Sequence, residues 1–133
     1  MQTTGVPGAA ATRDRWAQPT GIAGTGTRLV PWPVPSQSII EGSPHVTGRI
    51  LARNRRAVAG LWECEPGRIE FVVDGDELLV VLTGRLVIQT GQGETIMLES
   101  GDVACLPDGT DCVVTVSERC RCAFQAAAKP LLG

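Results

Sequence analysis

Between Ser38 and Ala127 the chain divides into short runs of β-branched and apolar residues separated by Gly, Pro, Asn and Asp. Runs of this length, bounded by turn-forming residues, predict strands. They fall near 38–41, 47–53, 57–64, 69–73, 77–83, 85–90, 94–98, 102–106, 112–117 and 119–126. Gly84, Gly91-Gln92-Gly93, Ser100-Gly101 and Asp108-Gly109 supply the breaks, where a positive φ costs little. Along 77–83 a period of two puts Glu77, Leu79 and Val81 on one face. The run Leu78 to Leu82 is apolar on both faces, which predicts a strand covered on two sides. No stretch of helical length carries a helical period. Many short strands at this spacing predict a sandwich or barrel.

Upstream, residues 1 to 28 are rich in Gly, Ala, Thr and Pro and show neither period. They read as a disordered or loosely attached arm. The segment Pro31-Trp32-Pro33-Val34-Pro35 extends it stiffly, because each proline fixes φ and restrains its predecessor. Trp32 reads either as a pin that holds this arm to a surface groove or as part of a tail that does not fold. The organisation is therefore an arm over 1–37, one β-domain over 38–127 and a short tail over 128–133.

Composition agrees with a single domain. At 133 residues and 43% apolar, the chain can build one core, and its 16 glycines and 9 prolines suit a turn-rich β protein. A net charge of −2 offers no basic stripe, so no nucleic-acid partner is expected. The chain opens without a charged-then-apolar leader, and no apolar run approaches the ~20 residues of a membrane span. A cytoplasmic location with no membrane partner follows as the expectation. Cys64, Cys105, Cys112, Cys120 and Cys122 make an odd count without a regular framework, which suits free thiols in a reducing compartment. Tyrosine is absent and His45 is the one histidine, so the usual proton shuttle is nearly missing.

Two spacings bear on chemistry. Glu77 is followed by Gly84 as E-x6-G, and Gly101, Pro107, Gly109 and Cys112 form G-x5-P-x-G-x2-C. Together with Glu41-Gly42-Ser43-Pro44, the stretch from Gly60 to Gly67, and Asp76 beside Glu77, they resemble the paired signature of the cupin superfamily. The resemblance runs over residues 39 to 125. It is closest to the branch that includes the ureidoglycine aminohydrolase cupin domain and the ethanolamine-utilisation cupin protein. It implies an all-β, cupin-type jelly-roll β-barrel. It also implies a homodimer, since cupin dimers often exchange N-terminal strands and the Pro-rich arm would suit such wrapping.

In metal-binding cupins, an H-x-H pair, the glutamate and a later histidine converge on a divalent ion. Here the pair falls on Phe71 and Val73, or on Glu70 and Val72 if the loop is one residue longer, and the later position is Cys112. With only Glu77 and Cys112 left as donors, no metal and no other cofactor is predicted. The alternative is a metalloenzyme with a non-standard site of Glu77, Cys112 and either His45 or Glu70. Cys112 reads either as a thiolate, which needs a nearby cation, or as a small hydrophobe. Cys120 and Cys122 share a face with Phe124 and read as buried thiols or, with Cys112, as a soft zinc or copper site. Cys64 and Cys105 are expected in the core.

Glu77 is the candidate acid–base residue, since burial among apolar neighbours would raise its pKa. Like charge from Asp76 would add to that. The competing reading is a hydrogen-bonded carboxylate that orders the turn, paired with an arginine. His45 and Cys112 are the other catalytic candidates. Phe71, Trp62, Arg49 and Arg68 are the ligand-binding candidates. The arginines, with Arg53 and Arg85, are suited to a carboxylate substrate through their planar forks. The function expected is binding of a small polar metabolite, with metal-independent isomerase, cyclase or lyase chemistry at Glu77. A non-catalytic sensor or accessory dimer is the other alternative, because one barrel hosts many chemistries.

Overall fold

A computed structural model of the chain describes residues 26–32, 34 and 38–128. Of the arm predicted over 1–37, residues 1–25, 33 and 35–37 lie outside the described residues, as do 129–133 of the tail predicted over 128–133. Nine strands make up the fold: β1 (Val30–Pro31), β2 (Ile39–Glu41), β3 (Val46–Arg53), β4 (Ala57–Cys64), β5 (Gly67–Val72), β6 (Glu77–Thr90), β7 (Thr95–Glu99), β8 (Val103–Leu106) and β9 (Asp111–Ala127). Among the described residues no helix is long and apolar enough to cross a membrane.

The two long strands organise everything else. β6 and β9 pair antiparallel over their whole lengths, with Glu77 opposite Ala126 at one end and Thr90 opposite Cys112 at the other. On its free edge β6 takes β8 along its first half and β7 along its second. The second half of β9 pairs with β4, which carries β3 and then β1. Its first half pairs with β5, which carries β2. One sheet thus curls on itself into a half-barrel, in line with the barrel that the strand spacing predicted and the jelly roll that the resemblance implied.

Two predicted breaks are bends instead. The runs 77–83 and 85–90 form one strand, and so do 112–117 and 119–126. The β6–β9 register slips around Thr83 and Arg85, a bulge that turns both strands from one wall of the barrel to the next. Gly84 has φ +88, and a Cβ there would strike the Arg119 carbonyl oxygen. The residue that reads as a stop is the one that lets the strand continue. Because the bulge changes parity, the buried positions run Leu79 and Val81 before it, then Leu86, Ile88 and Thr90 after it.

That inner row packs against Leu98, Leu106, Val114, Val116, Cys120 and Cys122. Burying an aliphatic side chain of this size contributes roughly 1.5–3 kcal/mol, which makes the row the main adhesive between walls. The outer row is less covered than its sequence predicted: Leu78 is 41% exposed, Leu82 40%, and Val103 on β8 54%. Cys105 stands opposite Leu78 on this outer face and is exposed, in contrast to its expected place in the core. The other four thiols are buried. The sheet also begins ahead of the boundary read at 38. Val30 and Pro31 pair with β3, and the Trp32 N–H donates to the Val46 carbonyl at 2.8 Å.

Candidate functional site

The barrel holds a cavity of ≈ 300 Å³ whose walls include Trp32, Trp62, Phe71, Leu79, Leu86, Ile88, Val114 and Glu77. Glu77 opens β6, opposite Leu106 on β8 and Ala126 on β9, and shares the inward parity of Leu79 and Val81. The loop before it is latched to the loop before β9. Asp76 Oδ1 accepts the Asp108 N–H at 2.9 Å, and Asp108 Oδ1 accepts the Gly75 N–H at 2.8 Å. The Ala127 N–H donates to the Asp76 carbonyl at 2.8 Å. Asp76 is therefore a turn former, and its work is to fix where the next side chain points.

The Glu77 carboxylate is half-buried, and no hydrogen bond or ion pair to it occurs among the described residues. Burial alone pushes its pKa up from the ordinary 4.5. Neither an arginine partner nor like charge from Asp76 accounts for its state. It faces a second, more polar cleft as well, at the barrel end, bordered by Arg56, Asp76 and Gln125. A carboxyl at such a junction can exchange protons with water on one side and with a guest in the cup on the other.

Trp32 forms part of the wall. Its ring lies where Gly48 has no side chain, since a Cβ there would sit 2.7 Å from ring atoms. Edge-on packing against Phe124 holds it, with ring centroids 6.0 Å apart and planes at 61°. Gly48 stands opposite Trp62 on β4, so two indoles share one stretch of wall. The sequence suggested a surface groove for Trp32, yet the ring is an inner wall of the cup. Gly48 was the available signal, because a glycine inside a strand marks close approach by something else.

The other candidates separate. Phe71 lies opposite Cys112 at the rim, 38% exposed and within the lining. Cys112 itself is buried and outside the cup lining, and burial, then Glu77 and Asp111, pushes its thiol pKa up. His45 is exposed in the loop before β3, with its carbonyl accepting the Glu65 N–H at 3.2 Å. Arg49 lies opposite Leu61, and Arg68 lies opposite Thr115 with Glu41 at 3.7 Å; neither borders the cup. Arg53 is exposed near the β3–β4 turn, and Arg85 is 3.8 Å from Glu99. The structure thus brings together Glu77, Trp62 and Phe71, and leaves His45, Cys112, Arg49 and Arg68 outside the lining.

The residues present do not fit a divalent metal. Phe71 and Val73 have the inward parity that the resemblance gives to two imidazoles, while Glu70, opposite Val113, belongs to the other face. Among the described residues no three His, Cys, Asp or Glu side chains could hold an ion. Cys64 lies opposite Cys120, and burial raises its pKa to about 12. The Cys122 pKa is raised by its hydrogen bond to Cys120 and by burial. These thiols behave as core residues, far along β9 from Cys112.

Residues 51–124, more than half of the chain, match the model of the EutQ-like cupin domain. No curated protein matches. Among solved structures, EutQ of Clostridium difficile is 19% identical with a TM-score of 0.60, covering 73% of this chain and 81% of that one. A cupin superfamily protein of Desulfitobacterium hafniense is 24% identical with a TM-score of 0.58, covering 77% and 100%. A protein of unknown function from Pseudomonas syringae is 20% identical with a TM-score of 0.68, covering 75% of this chain and 44% of that one. At these identities the structures carry the fold and no activity. With the domain match and the curled sheet in agreement, the chain belongs to the EutQ-like cupin domain family.

Proposed function

We propose that the protein binds a small metabolite in the cup and that Glu77 exchanges a proton with it in a metal-independent isomerisation, cyclisation or elimination. One observation supports this above the rest: a half-buried carboxylate, unpaired among the described residues, at the wall of a mostly apolar cavity. Such a cavity with one well-placed polar group is the usual makeup of a small-molecule site. The raised pKa brings the carboxyl nearer to the range where it can both donate and accept. The lining favours a guest with an apolar body and one polar group over a uniformly polar one. A second copy of the chain is proposed to cover the outer row of Leu78, Leu82 and Val103, an exposed apolar stretch of the kind that marks association.

The test has two parts. Untagged protein incubated with a metabolite pool is analysed by native mass spectrometry, and the retained compound is then incubated with fresh protein in D2O. Exchange or rearrangement with wild type, lost in a folded Glu77→Gln variant, is the expected result. Equal turnover by Glu77→Gln would remove Glu77 from the mechanism. A guest retained but returned unchanged by wild type would favour a sensor or accessory role.

A further inference from the structure

The charge and ring content of the cup narrow the guest further, given the reading of the cup as a small-molecule site. We infer that the cup is built for a compact organic ammonium ion, held against the carboxylate of Glu77 and the rings of Trp32, Trp62 and Phe71. All four line the cavity. Among the described residues, no Arg, Lys or His is in that lining. Glu70 borders it too, but its register opposite Val113 turns its side chain to the outer face. Among the described residues the inner wall therefore carries one acidic group and no basic one.

Each class of guest meets this wall differently. An anion meets Glu77 with no guanidinium or ammonium to offset it. A neutral guest gains from burial alone. A cation gains that burial, the partner charge on Glu77, and the attraction of aromatic faces, whose quadrupole is negative towards the ring centre. Trp gives the strongest such attraction, and two indoles share this wall, brought together by the inward Gly48. An alkylated ammonium fits better than a bare one. It gives up less hydration on entry, and its methylenes or methyls cover the Leu79, Leu86 and Ile88 wall. The carboxylate that lacks an ion partner among the described residues acquires one from the guest.

A shape-matched series tests the sign of the charge by calorimetry: choline, its uncharged isostere 3,3-dimethylbutan-1-ol, and the anion 3,3-dimethylbutanoate. The cation should bind about tenfold more tightly than the alcohol, and the anion most weakly. In Glu77→Gln the gap between cation and alcohol should narrow to what the rings contribute while the alcohol binds as before. Phe71→Leu, at the exposed rim, should weaken the cation more than the alcohol and serves as the second variant if Glu77→Gln unfolds. Alcohol or anion bound as tightly as choline would overturn the ammonium inference and leave the cup standing as a binding site. Failure of all three to bind would overturn it too, and the metabolite-pool experiment then decides separately whether the cup holds another guest.

Discussion

Replacing Gly48 by Ala should do its damage entirely through Trp32. The new Cβ would lie 2.7–2.8 Å from Cδ2, Cε3 and Cε2 of the indole, where ordinary contacts begin near 3.4 Å. These atoms are the body of the ring and not a flexible tip. Phe124 blocks one direction of retreat, and the 2.8 Å bond from the Trp32 N–H to Val46 fixes the backbone. The indole must leave its notch. Truncating a fully buried Trp costs roughly 3–5 kcal/mol, so losing the packing of this half-buried one should cost about 2 kcal/mol. Against that, Ala in a strand gains roughly 0.5–1 kcal/mol over Gly. Gly48→Ala should therefore destabilise by about 1–1.5 kcal/mol, and Trp32→Ala by about 2 kcal/mol. In the Trp32→Ala background the clash has no partner, and the same Gly48→Ala change should stabilise by roughly 0.5–1 kcal/mol. Urea unfolding of the four proteins, followed by far-ultraviolet circular dichroism, measures the cycle. An equal cost of Gly48→Ala in both backgrounds would refute the placement of the indole.

Two further outcomes follow from the same geometry. Burial raises the folded pKa of Glu77, so its protonated form stabilises the fold below the ordinary 4.5, and that stabilisation is lost as pH rises through the folded value. Glu77→Gln should remove this part of the pH dependence and be at least as stable as wild type at neutral pH. The nearby Cys112 and Cys122 thiols stay neutral across that window, Asp76 is held in its turn, and Arg56 borders the end cleft and not the cup. A drop in stability at neutral pH would instead reveal a cation paired to the carboxylate. For the outer row, sedimentation should show a dimer in wild type and a monomer after Leu82→Glu with Val103→Glu, with the circular dichroism spectrum kept; a wild-type monomer would end that proposal.

The strands were legible because their period and their turn residues agree, and most lie within a residue or two of where the pattern put them. What local pattern could not convey is continuity. Gly84 is at once a turn former and the one residue that passes beneath the Arg119 carbonyl, and only the partner strand distinguishes these roles. The same applies to Val30 and Pro31, whose membership of the sheet comes from β3 and not from their own sequence. Cys105 and Leu78 look like core residues in composition. They lie outside because they alternate with Ala104, Leu106 and Leu79, which the inner wall claims.

Parity decides the site in the same way. Arg49 follows Gly48, which faces inward under the indole, and Arg68 follows Gly67, which stands opposite the buried Val116. Alternation then turns both guanidinium groups outward, and a carboxylate guest loses the partners that composition suggested. Among the described residues the inner positions left over are mainly aromatic and aliphatic, with Glu77 the one charge among them. A site read from residue types alone would have matched an acid; with the strands in register, the same residues match a base. The charge sign inferred for the guest thus follows from the register, in which Gly48 and Gly67 fix the parity of the arginines that follow them.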